Sequence, residues 1–165
     1  MADTGLSPGN VPGAQTAPVL SVRAQYLVDL SFENPGAPGS LVPRDSAPQV
    51  SVGVDVNARR GNDNQFEVML KIGARAHHGD ETIFAIELIY SGIFHVQNIP
   101  DDQLQPVLFI ECPRILFPFA RRIVADATRD GGFPPLLLEP IDFIGLYQAR
   151  MAATQGQGGA QRFDA

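Results

Sequence analysis

Phe66-Glu67-Val68-Met69-Leu70-Lys71-Ile72-Gly73-Ala74-Arg75-Ala76-His77 alternates. Phe66, Val68, Leu70, Ile72, Ala74 and Ala76 fall on one side, and Glu67, Met69, Lys71, Gly73, Arg75 and His77 on the other. A period of two belongs to a strand whose side chains point alternately into a core and toward water. His78, Gly79 and Asp80 then break the pattern with turn residues, and a second run starts at Thr82 and continues to Phe94. Two runs joined by so short a turn form a hairpin. In the second run Phe84, Ile86, Leu88 and Tyr90 share one side, while Ile83, Ala85, Glu87 and Ile89 share the other. Both of its faces are therefore partly apolar.

Moving toward the N-terminus, Val50, Val52, Val54 and Val56 alternate with Ser51, Gly53, Asp55 and Asn57. Before that, Val22, Ala24, Tyr26, Val28, Leu30 and Phe32 alternate with Arg23, Gln25, Leu27, Asp29, Ser31 and Glu33. The expectation is a four-stranded antiparallel sheet with one apolar face and one polar to mixed face. Asp29 and Glu33, four residues apart in one strand, point the same way, and Glu87 joins them if the strand order allows it. The connection from Asn34 to Gln49 carries Pro35, Pro38, Pro43 and Pro48. Loops of that length are functional or mobile, and so many prolines leave no room for a helix.

Toward the C-terminus the period changes to that of a helix. Asp101 and Asp102 suit a helix N-terminus, where the dipole favours negative charge. Leu104, Val107, Leu108, Ile110, Ile115, Leu116, Phe119, Ile123, Val124 and Ala127 continue the pattern to the stop at Gly131-Gly132. Pro113 predicts an interruption and Pro118 a second kink or restart. An extended piece, Phe133 to Pro140, precedes a final helix from Ile141 to Ala153, with Ile144, Tyr147 and Met151 on one stripe. The fold class expected is α+β, with long C-terminal helices packed on one face of the sheet. These helices are too apolar for a four-stranded sheet to cover, which predicts burial against another subunit. Residues 1–20 and 154–165, rich in Pro, Gly, Ala, Ser or Gln, read as a disordered arm and tail around a domain at 21–153.

Composition narrows the function. Hydrophobic residues make up 44%, enough for a core, and the formal charge of −6 lacks the basic stripe that nucleic-acid binding requires. One cysteine excludes an intramolecular disulfide, no apolar run approaches the ~20 residues of a bilayer span, and the first residues lack a signal-peptide pattern. A cytoplasmic chain is expected. Phosphate-binding glycine loops, nucleophile elbows and zinc-type cysteine pairs are missing from the sequence. His77, His78, Asp80 and Glu81 sit at a hairpin tip, where exposed turn residues are a better reading than a metal cluster. Cys112, within Phe109-Ile110-Glu111-Cys112-Pro113, is placed for packing rather than nucleophilic attack. Asp29 with Glu33 is either a pair of solvated strand charges or a docking patch, and composition leaves both open.

Four segments resemble one family. Glu111-Cys112-Pro113-Arg114-Ile115-Leu116-Phe117-Pro118-Phe119-Ala120-Arg121 is similar to the signature of the SecB protein-export chaperones, as is Gly132-Phe133-Pro134-Pro135-Leu136-Leu137-Leu138-Glu139-Pro140-Ile141-Asp142-Phe143. Asp29-Leu30-Ser31-Phe32-Glu33 with Asn34-Pro35 adds a third match and Gly92-Ile93-Phe94 a fourth, and the likeness runs from about Tyr26 to Tyr147. The resemblance implies an ATP-independent cytosolic holdase that is not an enzyme and needs no cofactor. It would bind unfolded precursor polypeptides, deliver them to the SecA motor ATPase, and assemble as a homotetramer, a dimer of dimers. It implies SecA docking, through that partner's zinc-bearing C-terminal tail, at Asp29, Glu33, Ala85 and Glu87. Ala85 stands where the family usually has leucine, a loss that Ile83 or Ile89 would offset. It also implies a client groove at Val50, Val52, Val54, Phe84, Phe119, Leu136 and Phe143. Neither nucleic acid nor membrane insertion belongs to this reading.

Overall fold

The computed structural model describes residues 17–159. The alternating runs become four strands, β1 (Val19–Glu33), β2 (Gln49–Arg60), β3 (Gln65–His78) and β4 (Glu81–Gln97). They form one antiparallel sheet in the order β1-β4-β3-β2. Gly79 and Asp80 make the β3–β4 turn, with Gly79 at φ +59, the left-handed region that glycine enters without a steric penalty. β1 takes in Val19 and Leu20, so the sheet starts two residues earlier than the expected domain boundary.

Alternation in β1 is broken twice. Register shifts between Val22 and Ala24 and between Leu27 and Asp29 leave Arg23 and Val28 without partners on β4. Each bulge adds one residue and turns the side chains beyond it to the opposite face. Leu30 and Phe32 keep the inner face, as expected. Tyr26, expected there too, faces outward instead, where its hydroxyl donates to Glu67 Oε1 at 2.8 Å. Gln25 takes the inner position and accepts a hydrogen bond from the Tyr90 hydroxyl at 3.2 Å.

The helical run is continuous where two interruptions were expected. α1 (Asp101–Pro106) passes into a wider π-type turn (Val107–Glu111), which leads into α2 (Cys112–Asp130). Pro113 has no N–H to give to the preceding turn, and the widened turn takes up that missing bond at α2's first residues. Pro118 lies on an exposed face of α2, so water can serve the carbonyl it leaves unbonded. α3 (Phe143–Gly159) follows the extended segment and continues past the expected boundary at Thr154. The remainder of the arm and tail, 1–16 and 160–165, lies outside the described residues.

α2 lays Cys112, Leu116, Ala120, Val124 and Thr128 on the inner face of the sheet, against Val68, Leu70, Ile72, Leu88 and Phe94. These positions recur every four residues, the spacing that keeps side chains on one helix face. Burying a leucine such as Leu116 completely stabilises by about 1.5–3 kcal/mol.

Residues 34–48 cross from β1 at one edge to β2 at the other, over the end of the sheet. This connection is fastened along its length. Ser40 is buried and donates to Asn34, Arg44 makes a two-pronged ion pair with Glu81, and Ser46 meets His78 Nε2 at 2.8 Å. The Arg44 guanidinium holds the Glu81 carboxyl below its usual range.

Candidate functional site

Two surfaces combine exposed side chains with a defined geometry, one on the outer face of the sheet and one along the β2 edge.

On the outer face, strand order decides the fate of Glu87. Because β1 lies beside β4, Ser31 pairs with Glu87, Asp29 with Ile89 and Glu33 with Ala85. Glu87 is thus the diagonal neighbour of both Asp29 and Glu33, at the about 7–8 Å typical of such positions. All three are exposed, and among the described residues none joins an ion pair. On the far side of Glu87 lies Gly73, itself paired with Gly53, and a side chain at either glycine would meet open space. A shallow hollow results, with Arg75 on its rim. Ala85 is half-buried beside the acids. Ile83 is only 2% exposed because it lies under the 34–48 connection, so it offers no apolar surface beside Ala85. Ile89, half-buried on the outer face opposite Asp29, remains available.

Along the β2 edge, Val50 and Val52 are 42% and 48% exposed although they sit on the inner side of the sheet. They form one wall of an open groove, with Leu136, Leu137, Glu139 and Ile141 opposite. Its upper end meets a second hollow under the 34–48 connection, lined by Leu41, Val42, Ile83 and Phe133. Beneath that hollow Phe32, Phe84 and Phe133 form an aromatic cluster, with Phe84 and Phe133 centroids 5.0 Å apart. Val54 lines the next section down, with Leu146 and Tyr147 of α3.

The structure brings Val50, Val52, Val54 and Leu136 together along this edge and puts Phe84 in the buried floor of its upper end. It does not bring Phe143 or Phe119 to the groove surface. Phe143 is 2% exposed and packs edge-on against Phe117 in the core. Phe119 is 44% exposed on α2, stacked on Tyr90 at 6.4 Å, near the β1 side of the sheet.

Thr128 holds the far wall, a role the sequence reading missed. It is fully buried at the C-terminal end of α2, and its hydroxyl donates to the Val124 and Ala125 carbonyls while accepting the Leu136 N–H at 2.9 Å. Its own carbonyl accepts the Phe133 N–H at 3.1 Å. A threonine at helix spacing carries no signal of this, because its partner is the backbone of an irregular segment. Thr128→Val keeps the shape and removes the acceptor. It is expected to destabilise the protein by about 1–3 kcal/mol, the usual effect of stranding a buried donor, and to speed hydrogen exchange at Leu136. Unchanged exchange at Leu136 would contradict this anchoring role.

The groups considered for chemistry are otherwise occupied. Cys112 is fully buried; desolvation, aided by the Glu111 carboxylate, pushes its thiol up to about 12, so it stays protonated at neutral pH. Among the described residues no three His, Cys, Asp or Glu side chains come together as a metal site. No helix among them is long and apolar enough to cross a membrane.

Comparison with known proteins agrees with this architecture. Residues 13–154 match the family described as preprotein translocase subunit SecB. The protein-export protein SecB of Parvibaculum lavamentivorans is 55% identical over 154 residues, 91% of this chain and 92% of that one. That of Bartonella quintana is 52% identical over 138 residues, 84% of this chain and 87% of its own. Among solved structures, the SecB-like chaperone of Mycobacterium tuberculosis, determined in complex with a peptide from an antitoxin, superposes with a TM-score of 0.62 at 16% identity. That match covers 74% of this chain and 90% of the other, and at such identity it establishes the shared fold. The chain therefore belongs to the SecB family, whose members are protein-export chaperones and not enzymes.

Proposed function

We propose that this protein is a cytosolic, ATP-independent holdase that keeps precursor polypeptides unfolded along its β2 groove and hands them to the SecA motor. The observation that carries the reading is the pair of half-exposed valines, Val50 and Val52, on an edge strand facing the apolar extended segment 136–141. Apolar side chains around an open trough bind many sequences weakly, and several such subsites raise the overall affinity through effective concentration. The mycobacterial relative in its peptide complex supports the same use of the fold.

SecA docking is assigned to Asp29, Glu33, Ala85 and Glu87. Among the described residues none of the three carboxylates is ion-paired, and Lys71 and Arg75 flank Glu87 alone, so Asp29 and Glu33 at the β1 side favour a basic segment while Ile89 supplies apolar contact where Ala85 is short. Glu87→Lys is expected to weaken binding of SecA's zinc-bearing C-terminal tail by about a hundredfold, within the range for charge pairs at interfaces. Capture of an unfolded client should be unchanged, and joint loss of both activities would argue against a separate docking face.

A homotetramer, arranged as a dimer of dimers, would cover the apolar surface the monomer leaves open. Leu27, Val28 and Leu30 on the β1 edge and Phe119 on α2 are all exposed large hydrophobics. Native mass spectrometry with and without a reduced, unfolded precursor tests assembly and holdase activity together. A monomer that binds no precursor would overturn the proposal.

A further inference from the structure

β2 is an edge strand, so one row of its backbone groups has no partner strand. Its register with β3 runs without a shift from Gln49 to Arg60, and along such a strand the backbone groups of successive residues point to opposite sides. Val56 shows which residues face the open edge. Asp55 Oδ1 accepts its N–H at 3.0 Å, and Arg150 Nη1 donates to its carbonyl at 2.7 Å. Val50, Val52 and Val54 share the parity of Val56. Their N–H and C=O groups therefore point to the open edge, while their side chains line the groove. Among the described residues nothing else in the chain bonds to those groups.

This open run is bounded at both ends. Pro48, two residues before Val50, has no N–H to give. At the other end both Val56 groups are filled, and the edge passes into a pocket rimmed by Arg60 and Arg150. Arg150 is steadied there by the Phe109 ring, whose centroid lies 4.5 Å from its guanidinium.

We infer that a client segment adds to β2 as a short antiparallel strand, paired with Val50, Val52 and Val54 and stopped at Val56 by Arg150. The inference rests on the holdase reading and deepens it. In antiparallel pairing, the client residue opposite each valine turns its side chain into the groove and its backbone groups toward β2. Apolar contact and hydrogen bonding then come from the same client residues. Backbone pairing is blind to sequence, which suits a site that must accept many chains. An unfolded client has these groups free, whereas a folded protein has spent most of its own. A second copy of β2 fits poorly, because a twelve-residue strand would run into the closed position at Val56.

The test uses the full chain and fluorescent seven-residue peptides in which Leu or Phe alternates with Ser, read by fluorescence anisotropy. One peptide is unmodified, one is N-methylated at its two inner apolar residues, and one at two of its serines. Methylation at the apolar residues removes N–H groups that face β2 and should weaken binding at least about tenfold. Methylation at the serines, whose N–H groups face away, should leave the affinity within about twofold of the parent. Equal affinities of the two methylated peptides, or the reverse order, would overturn the pairing while leaving the apolar groove in place. Failure of the unmodified peptide to bind would overturn the holdase reading and this inference with it.

The stop is tested by adding four serines to the peptide's N-terminal end, which antiparallel pairing places toward Val56. The longer peptide should gain nothing on the native chain. Arg150→Met keeps a long stem over Phe109 but frees the Val56 carbonyl, and there the longer peptide should bind about fivefold more tightly than the shorter. Asp55→Ala, at an exposed position, frees the Val56 N–H and should show a similar gain. The shorter peptide should bind all three proteins alike, and an unchanged ratio in both variants would overturn the stop.

Discussion

Gly92→Val is expected to cost the protein more than about 3 kcal/mol of stability, a large share of the roughly 5–15 kcal/mol that holds a typical domain together. Gly92 lies on the inner face of β4, where α2 crosses the sheet. A Cβ there would come within 2.8 Å of Phe94 Cε2, 2.9 Å of Leu116 Cδ2 and 3.3 Å of the Ala24 carbonyl oxygen. Phe94 and Leu116 are both fully buried, so neither side chain has space to withdraw. Overpacking a dense core by one or two methyls usually costs about 1–3 kcal/mol, and valine also adds a second branch pointing at α2. Urea denaturation should show a lower midpoint with an unchanged slope, and Gly92→Ala should fall between the two. Leu116→Ala alone should cost about 2–5 kcal/mol. Combined with Gly92→Val it should cost less than the sum, because the cavity receives the new methyls. Native stability in Gly92→Val would mean that α2 packs elsewhere.

Val50→Asp combined with Val52→Asp should act in the opposite way, abolishing function while sparing the fold. Both valines are roughly half exposed, and substitutions at such positions change stability by about 0.5 kcal/mol or less each. If a client covers them, each contributes part of the about 1.5–3 kcal/mol available from burying a valine, and each aspartate adds a charge that binding must desolvate. Affinity for a reduced, unfolded protein should fall about a hundredfold, measured by titration or by suppression of its aggregation. Circular dichroism and sizing should match the parent. Retained capture would remove β2 from the client surface.

Most of the sheet was legible because β2, β3 and the inner face of β4 keep strict alternation, and alternation survives wherever one side is dry and the other wet. β1 was harder to read. It is an edge strand with both sides partly exposed, so a shift of one residue carries little energetic penalty, and the bulges at Arg23 and Val28 leave no mark in composition. The prolines misled for a related reason. Pro113 and Pro118 forbid particular hydrogen bonds, but a widened turn and an exposed carbonyl absorb those losses without breaking the helix.

The site was readable to an uneven extent. Asp29 and Glu33 share a face by parity alone, whereas Glu87 joins them only because β4 is the neighbour of β1, which local pattern cannot decide. Phe119 and Phe143 carry the family motif, but motif membership does not say which side of a helix faces a groove. Arg60 and Arg150 are ninety positions apart in sequence, and only the turn of α3 back toward the end of β2 sets them in one pocket.

The closure at Val56 also bears on a hazard of the architecture. A twelve-residue edge strand rich in valine, with no proline inside it, is a template on which copies of the same segment can stack into cross-β fibrils. Such growth needs an unbroken row of free backbone donors and acceptors. By filling both Val56 positions from its own Asp55 and Arg150, the chain interrupts that row and keeps a copy of the strand from pairing along its whole length.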